Sequence, residues 1–291
     1  MHGWLLVNAF LQKEKFNEIY ALLFQAAARR GIELELKTNA ELIILSTQEL
    51  KTLPRPDFVL FWDKDILLAR RLEESGFKLF NSAATIEYCD DKNLTALALE
   101  KKGVATPKTI SAPKTFEGVG YTDLQFFDEA KKRLKLPLVI KEACGSFGQQ
   151  VYLAETEKEG QEILLKIGCK PFLMQEFIQE SRGRDVRVNV VGGRVVSAIL
   201  RENSSDFRSN ITGGGKASAY QVSKAQADAA IAACQAVGAD FAGVDILFGK
   251  NSQPLVCEIN SNPHFKSSLD CTGVDVSEHI MEYVAARIKG E

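Results

Sequence analysis

The 291-residue sequence has no CxxC pair among its six cysteines. Single thiols scattered at Cys89, Cys144, Cys169, Cys234, Cys257 and Cys271 argue against a zinc site and for reduced, partly buried side chains in a cytoplasmic protein. No apolar run reaches the roughly 18 residues that span a bilayer, so no membrane partner is expected. The opening MHGWLLVNAF lacks a basic stretch before its brief apolar run, so no signal peptide is expected. Charge of one sign is not in excess. Lys and Arg total 36 against 38 Asp and Glu, a formal net charge of −2. That balance argues against a mainly electrostatic nucleic-acid binder and leaves open only a local basic groove. There is no GxGxxG, which weakens a dinucleotide-binding reading of the N-terminal third. The run GGGKAS (213–218) is not a Walker A loop: Asn210 stands where the first glycine is required, and Ala217 where Ser or Thr is required.

What is present is an ordinary soluble composition, 45% hydrophobic and 25% charged, long enough for two or three packed units. The first third alternates strand and helix. WLLVNAF (4–10), ELELKT (33–38), PDFVLFWD (56–63) and KLFNS (78–82) read as strands. Helices are expected over 16–30, where Ile19, Leu22, Leu23 and Ala26 keep helical spacing, and over 65–75. This βαβ grammar predicts a small parallel sheet with helices on its faces. One helix is expected from about Ala84 to Lys102, stopped by Gly103. Pro107, Pro113, Gly118 and Gly120 then break the chain before a helix over 123–135.

From 136 onward the pattern changes to hairpins. LPLVIKEA (136–143) and QQVYLAE (149–155) flank CGSFG. KPFLMQEFI (170–178) is another strand. RDVRVNVVGGRVVSAILRE (184–202) folds around Gly192-Gly193, and AGVDILFGKNSQPLVCEINSNP (242–263) is a further hairpin. Helices are expected over 223–237 and 275–288. Residues 203–216 have neither periodicity, and loops of that length inside compact domains are usually functional or disordered.

The last hairpin holds the clearest chemistry. A four-residue turn at 250–253 would pair Phe248 with Leu255, Leu247 with Val256, Ile246 with Cys257 and Asp245 with Glu258. Two carboxylates facing across a ladder repel each other. Alternation puts Asn260 on the face of Glu258. A hard cation such as Mg²⁺, held by one or two carboxylates plus substrate phosphates, would relieve the repulsion. A solvated polar sheet face is the competing reading. Lys141 ends an apolar strand, where a surface lysine is the plainer reading. The register of the 184–202 hairpin stays open: a three-residue loop puts Asp185 opposite Arg201 with Arg187 on the same face, whereas a two-residue loop turns Arg201 to the other side.

PLVIK, QEFI, GRDVRVNVVGGRVVSAI, DFRSNITGGG, AGVDIL and EINSNP, in this order, resemble the ATP-grasp superfamily, and within it the RimK-type ATP-dependent carboxylate–amine ligases. The resemblance covers nearly the whole chain and is weakest over the first eighty residues. It implies an α/β and α+β architecture: an N-terminal βαβ domain over 1–91, a central lobe over 92–178 and a C-terminal lobe with the metal site over 179–291, ATP lying between the lobes. It implies that Lys92 and Lys141 touch the nucleotide phosphates. Glu176, Phe177 and Ile178 would read adenine, chiefly through backbone groups. Asp185 would contact the nucleotide, with Arg208, Ser209 and Asn210 on its phosphate side. Asp245, Glu258 and Asn260 would hold Mg²⁺ or Mn²⁺. Arg187 and Arg201 would stabilise the transferred phosphoryl group.

The implied activity is ATP-dependent joining of a small carboxylate to an amine, or to a peptide terminus, through an acyl phosphate. Loop 203–216 is then expected to be mobile when empty and to close over the ATP phosphates. One departure concerns NPHFKSSLDCTG, where RimK-type enzymes carry a Gly-rich acidic stretch. Here His264, Phe265 and Lys266 stand near the expected acceptor site. Lys266 could bind a substrate carboxylate or be a surface lysine beside a packed Phe265. A non-catalytic ATP-binding protein on the same fold is the alternative function. The identity of the carboxylate and the amine, and a homo-oligomeric state, stay open.

Overall fold

The computed structural model describes residues 1–43, 46–145, 148–211 and 214–290. Part of the expected CGSFG turn (146–147), and residues 212–213 at the start of the glycine run, lie outside the described residues.

Three sheets follow one another along the chain. The first is parallel, in the order β2-β1-β3-β4, and is built from β1 (His2–Val7), β2 (Glu33–Thr38), β3 (Phe58–Trp62) and β4 (Leu79–Phe80). Both faces are covered, which is why FVLFW reads as an unbroken apolar run. Trp4, Leu6, Val59 and Phe61 pack on one side with α3 (Ile66–Glu74) and α4 (Ala83–Asp90). Leu5, Phe58, Leu60 and Trp62 pack on the other with α1 (Glu14–Arg29). Gly3 is required here: a Cβ at that position would stand 2.3 Å from the Phe58 ring.

The second sheet is antiparallel, in the order β5-β8-β6-β7: β5 (Thr109–Ser111), β6 (Leu138–Glu142), β7 (Val151–Ala154) and β8 (Phe172–Glu176). Its apolar face receives Phe127 of α6 (Gln125–Leu134) and Leu164 and Ile167 of α7 (Glu157–Ile167). The third sheet, also antiparallel, has the order β11-β10-β9-β12-β13: β9 (Arg184–Val191), β10 (Arg194–Glu202), β11 (Lys216–Ala219), β12 (Phe241–Phe248) and β13 (Pro254–Asn260). Ala230, Ala233 and Cys234 of α8 (Lys224–Val237) bury Val186, Val188, Val244 and Ile246 on one face.

The third sheet is riveted to the first. α10 (Val276–Lys289) places Ile280, Met281 and Val284 in the same cluster as Leu5, Leu60 and Trp62. Trp62 stacks on Phe241 at 5.5 Å and meets Phe265 edge-on at 6.0 Å. Such aromatic pairs each contribute roughly 0.5–1.5 kcal/mol beyond area burial. Buried Asn81 donates from Nδ2 to the carbonyls of Phe241 (2.9 Å) and Ser261 (3.1 Å) and accepts from the Asp240 amide (2.7 Å). Among the described residues no helix is long and apolar enough to cross a membrane.

Two expectations about local structure are corrected. The single helix over 84–102 is two helices, α4 and α5 (Lys92–Lys101), with extended Asp91 between them. The Asp91 carboxylate accepts from the amides of Asn93 (2.8 Å) and Leu94 (3.4 Å), an N-cap that restarts the helix. The hairpin registers also differ. Near its turn β12 pairs with β13 one residue off the expected frame, Phe248 with Pro254 and Ile246 with Val256. A bulge then restores Asp245 opposite Glu258 and Gly243 opposite Asn260. In the other hairpin the turn is the two-residue one, with Arg194 opposite Val191. A bulge between Val195 and Ser197 then brings Arg201 opposite Asp185.

Candidate active site

A cleft lies between β6–β7–β8 and β9–β12–β13, roofed by Phe207, Arg208, Ser209 and Asn210. Of the residues singled out from the sequence, Lys92, Lys141, Glu176, Phe177, Ile178, Asp185, Arg201, Arg208, Ser209, Asn210, Asp245 and Glu258 all line it. Arg187 and Asn260 do not; they line a second, larger cavity of about 580 Å³ further along the same face of these strands. Arg201, Asn210 and Glu258 border both spaces.

Lys141 is not a surface lysine. It is 7% exposed, and Nζ donates to Gln175 Oε1 at 2.7 Å and approaches Cys257 Sγ at 3.3 Å. It forms no ion pair with the described residues, so a buried cation is left with only neutral partners. Cys257 reaches it because Cys257 is the bulged residue of β13. Lys92, the first residue of α5, points its Nζ at the Ala143 carbonyl (3.5 Å) and lies 3.9 Å from Glu258 Oε1. Glu176 accepts from the Lys108 amide at 2.7 Å, so its carboxylate is tied to neighbouring backbone at the end of β8.

Four charges interlock on β9, β10 and β12. Arg201 donates from Nε to Asp185 Oδ1 (2.7 Å) and through its other guanidinium nitrogen to Asp185 Oδ2 (2.5 Å) and Asp245 Oδ2 (2.9 Å). Arg187 grips both Asp245 oxygens, at 2.7 and 2.6 Å. Burial opposes ionisation of Asp245, but the two guanidiniums prevail and hold its carboxyl below the usual range. The cross-strand repulsion expected between Asp245 and Glu258 is thus relieved at Asp245 by the two guanidinium charges. Glu258 keeps a half-exposed carboxylate whose nearest cation is Lys92. Asn260 donates weakly to the Gly243 carbonyl (3.3 Å), which leaves its own Oδ1 as an acceptor.

Among the described residues no three His, Cys, Asp or Glu side chains cluster to hold a metal unaided. A donor set of Glu258, Asn260 Oδ1 and an oxygen of the arginine-bound Asp245 has too few anions for an all-protein cage. It suits an ion such as Mg²⁺, which takes its remaining ligands from phosphates and water.

The resemblance places Arg208 on the phosphate side of the nucleotide. Its guanidinium already holds Asp206 (2.7 Å) and donates to the Gly148 carbonyl (2.6 Å) across the cleft. Gly148 has φ +71°, and a Cβ there would sit 2.6 Å from Asn210 Oδ1. The roof is therefore seated on the β6–β7 turn, and the cleft beneath it measures only about 110 Å³. Lys266 is placed away from both spaces, ion-paired with Asp270 one turn along α9 (Lys266–Thr272), while Phe265 beside it is fully buried. His264 does line the second cavity. Burial lowers its imidazole pKa, and Nε2 is hydrogen-bonded to the Lys15 carbonyl at 2.9 Å.

Sequence reasoning missed the opposite wall of the second cavity. Asn8, Tyr20, Trp62 and Asp63 come from the N-terminal sheet and α1. The available signal was the position of Asp63, immediately past the carboxyl end of a parallel strand, where ligands of open α/β sheets bind.

A parallel sheet followed by two antiparallel sheets that face each other across a lined cleft is the ATP-grasp architecture. A RimK-domain ATP-grasp protein from Sphaerobacter thermophilus superposes with a TM-score of 0.73 at 22% identity, covering 97% of this chain and 99% of that one. A family model of the RimK-like ATP-grasp domain matches residues 89–284, and the chain belongs to that family. The uncharacterized protein MG012 homolog of Mycoplasma pneumoniae is 32% identical over 251 residues, 85% of this chain and 86% of the relative. A probable alpha-L-glutamate ligase of Vibrio atlanticus is 35% identical over 225 residues, 76% of this chain and 72% of that protein.

Proposed function

We propose that this protein is an ATP- and Mg²⁺-dependent ligase that joins a carboxylate to an amine through an acyl phosphate, releasing ADP and phosphate. The observation that carries this reading is the adjacency of two spaces of different character. A nucleotide-sized reactant on the Lys141 side and a small substrate in the second cavity would meet at Arg201 and Glu258. The division into units 1–91, 92–178 and 179–291 belongs to the same proposal.

In this reading the phosphates of ATP supply the anion that Lys141 lacks, with Lys92 beside them. The backbone of Glu176–Ile178 faces the base. Glu258 and Asn260, with Asp245 behind, hold Mg²⁺, which when bound offsets phosphate charge. A substrate carboxylate oxygen attacks the γ-phosphorus, and the bond to the β-bridging oxygen breaks with its electron pair leaving on ADP. A neutral amine then attacks the acyl carbon, the carbon–oxygen bond breaks, phosphate departs and the amine sheds a proton. Arg187 and Arg201, fixed in place by Asp185 and Asp245, present positive charge to the transferring group without reorganising. The chain provides positioning and charge rather than a covalent nucleophile.

The small volume under the seated roof supports a lid. ATP enters only if 207–210 lifts off Gly148, and reseating excludes water from an acyl phosphate. The test is ADP release measured with Mg²⁺ across a panel of amino acids and short peptides. Turnover that depends on both Mg²⁺ and a particular amine–carboxylate pair is expected; ATP binding without turnover for any pair would instead support a non-catalytic nucleotide binder. That second reading draws on one observation: both arginines are already committed to carboxylates.

A further inference from the structure

The wall of the second cavity contributed by the N-terminal unit carries a buried carboxylate that forms no direct ion pair among the described residues. Asp63 is 4% exposed. It accepts from Asn8 Nδ2 at 3.1 and 3.3 Å and from the Lys64 amide at 2.7 Å, all neutral donors. The neighbouring Lys64 ammonium is directed to Asp90, 2.6 Å away. Asp63 forms no ion pair with the described residues, and burial raises its carboxyl pKa. Tyr20, on α1, lines the same cavity; its hydroxyl is buried and has no hydrogen-bond partner among the described residues. A buried carboxylate whose direct hydrogen bonds all come from neutral donors, with only a more distant Lys64 charge, stands beside an unsatisfied hydroxyl, and the set of interactions is incomplete. A primary ammonium completes it: one N–H bond and a full countercharge for Asp63, and a second N–H for the hydroxyl oxygen.

We propose that Asp63 and Tyr20 bind the primary ammonium of a free amino acid, and that this amine is a recognition group rather than the nucleophile. The inference rests on the ligase reading for its chemistry. An amine held against a carboxylate is held protonated, and an ammonium has no lone pair to attack with. The reacting end of the anchored substrate is therefore its carboxylate, presented where the cavity meets the nucleotide cleft at Arg201, Asn210 and Glu258. Activation makes the bond from a carboxylate oxygen to phosphorus. Amine attack then breaks the bond from that same oxygen to carbon, so the oxygen leaves in the phosphate.

The experiment has two arms. In the first, the twenty standard amino acids are titrated calorimetrically into the protein with Mg²⁺ and a non-hydrolysable ATP analogue. The tightest is then compared with its N-acetyl derivative. Expected are binding at least tenfold tighter for the free amino acid, loss of that discrimination in Asp63→Asn, partial loss in Tyr20→Phe, and unchanged nucleotide affinity in both variants. No binding by any amino acid, equal binding of the N-acetyl form, or an Asp63→Asn variant that keeps the discrimination would each overturn the ammonium site. In the second arm that amino acid, labelled with ¹⁸O in its carboxylate, is turned over with the panel of amines. Label in the released phosphate is expected, and unlabelled phosphate would overturn the assignment of its carboxylate as the activated group. Discriminating binding without any ADP release would leave the ammonium site standing and remove the ligase reading.

Discussion

Lys141 and Asp63 sit on opposite sides of the molecule's working centre and share one property. Each is a buried charge whose direct hydrogen bonds come from neutral groups: Gln175 and Cys257 for the lysine, Asn8 and backbone for the aspartate. Between them lies the opposite case, the cluster of Asp185, Arg201, Asp245 and Arg187, where two cations and two anions are interlocked. A satisfied cluster fixes geometry; an unsatisfied charge waits for a ligand. The comparison separates residues that organise the site from residues that recognise what enters it.

The largest effect that could break this contrast is on stability. Asp245→Ala leaves two buried guanidiniums short of a partner and should cost about 3–5 kcal/mol in urea unfolding. Lys141→Met removes an uncompensated charge from a buried position and should leave stability unchanged or raise it. Equal losses in the two variants would mean that Lys141 also belongs to the scaffold. Next in size is recognition. Lys141→Met should weaken ATP binding by about 1.5–3 kcal/mol, tenfold or more in the calorimetric Kd. Nucleotide affinity left intact would remove the functional half of the comparison. Smaller again is the roof: Arg208→Ala loses its hold on Gly148, so protease cleavage within 203–211 should quicken severalfold, and Mg²⁺ with an ATP analogue should protect it less than wild type.

The smallest effect is a pH slope. Because the folded pKa of Asp63 is raised, its relative contribution to stability is full below the ordinary carboxylate range, near 4, and is lost as pH rises through the folded value. Asp63→Asn should therefore flatten the decline of the urea midpoint above pH 4. An unchanged profile would show that Asp63 is solvated well enough to need no ammonium.

Legibility from sequence followed the same division. Hairpins carrying Lys141, Asp185, Arg201, Asp245 and Glu258 announce themselves by strand periodicity, and most residues chosen there line one cleft. Frame was harder. Period-two counting from either turn fails by one residue, because Val196 and Cys257 are bulged and no composition rule marks them. Asp91 was readable as a cap, since Asp91-Lys92-Asn93 interrupts an apolar pattern, yet Gly103 made one long helix look sufficient. The helix α7 was not expected from the sequence, although its Thr156–Glu159 capping box is a local signal for it. The N-terminal wall was missed for another reason, since its one local signal, Asp63 at a strand end, names none of its neighbours. Asn8, Tyr20 and Asp63 are far apart in sequence, and only the parallel register of β1 with β3, and the packing of α1 over them, brings them to one corner.

Trp62 occupies an unusual station in this arrangement. It stacks on Phe241 in the core that joins the first and third sheets, and it also lines the second cavity beside Asp63. The chain's other tryptophan, Trp4, packs on the opposite face of the same sheet against Phe77. The molecule thus carries its own optical pair: one indole that reports cavity filling through its emission, and a second, shielded by the sheet, that serves as an internal reference without any label.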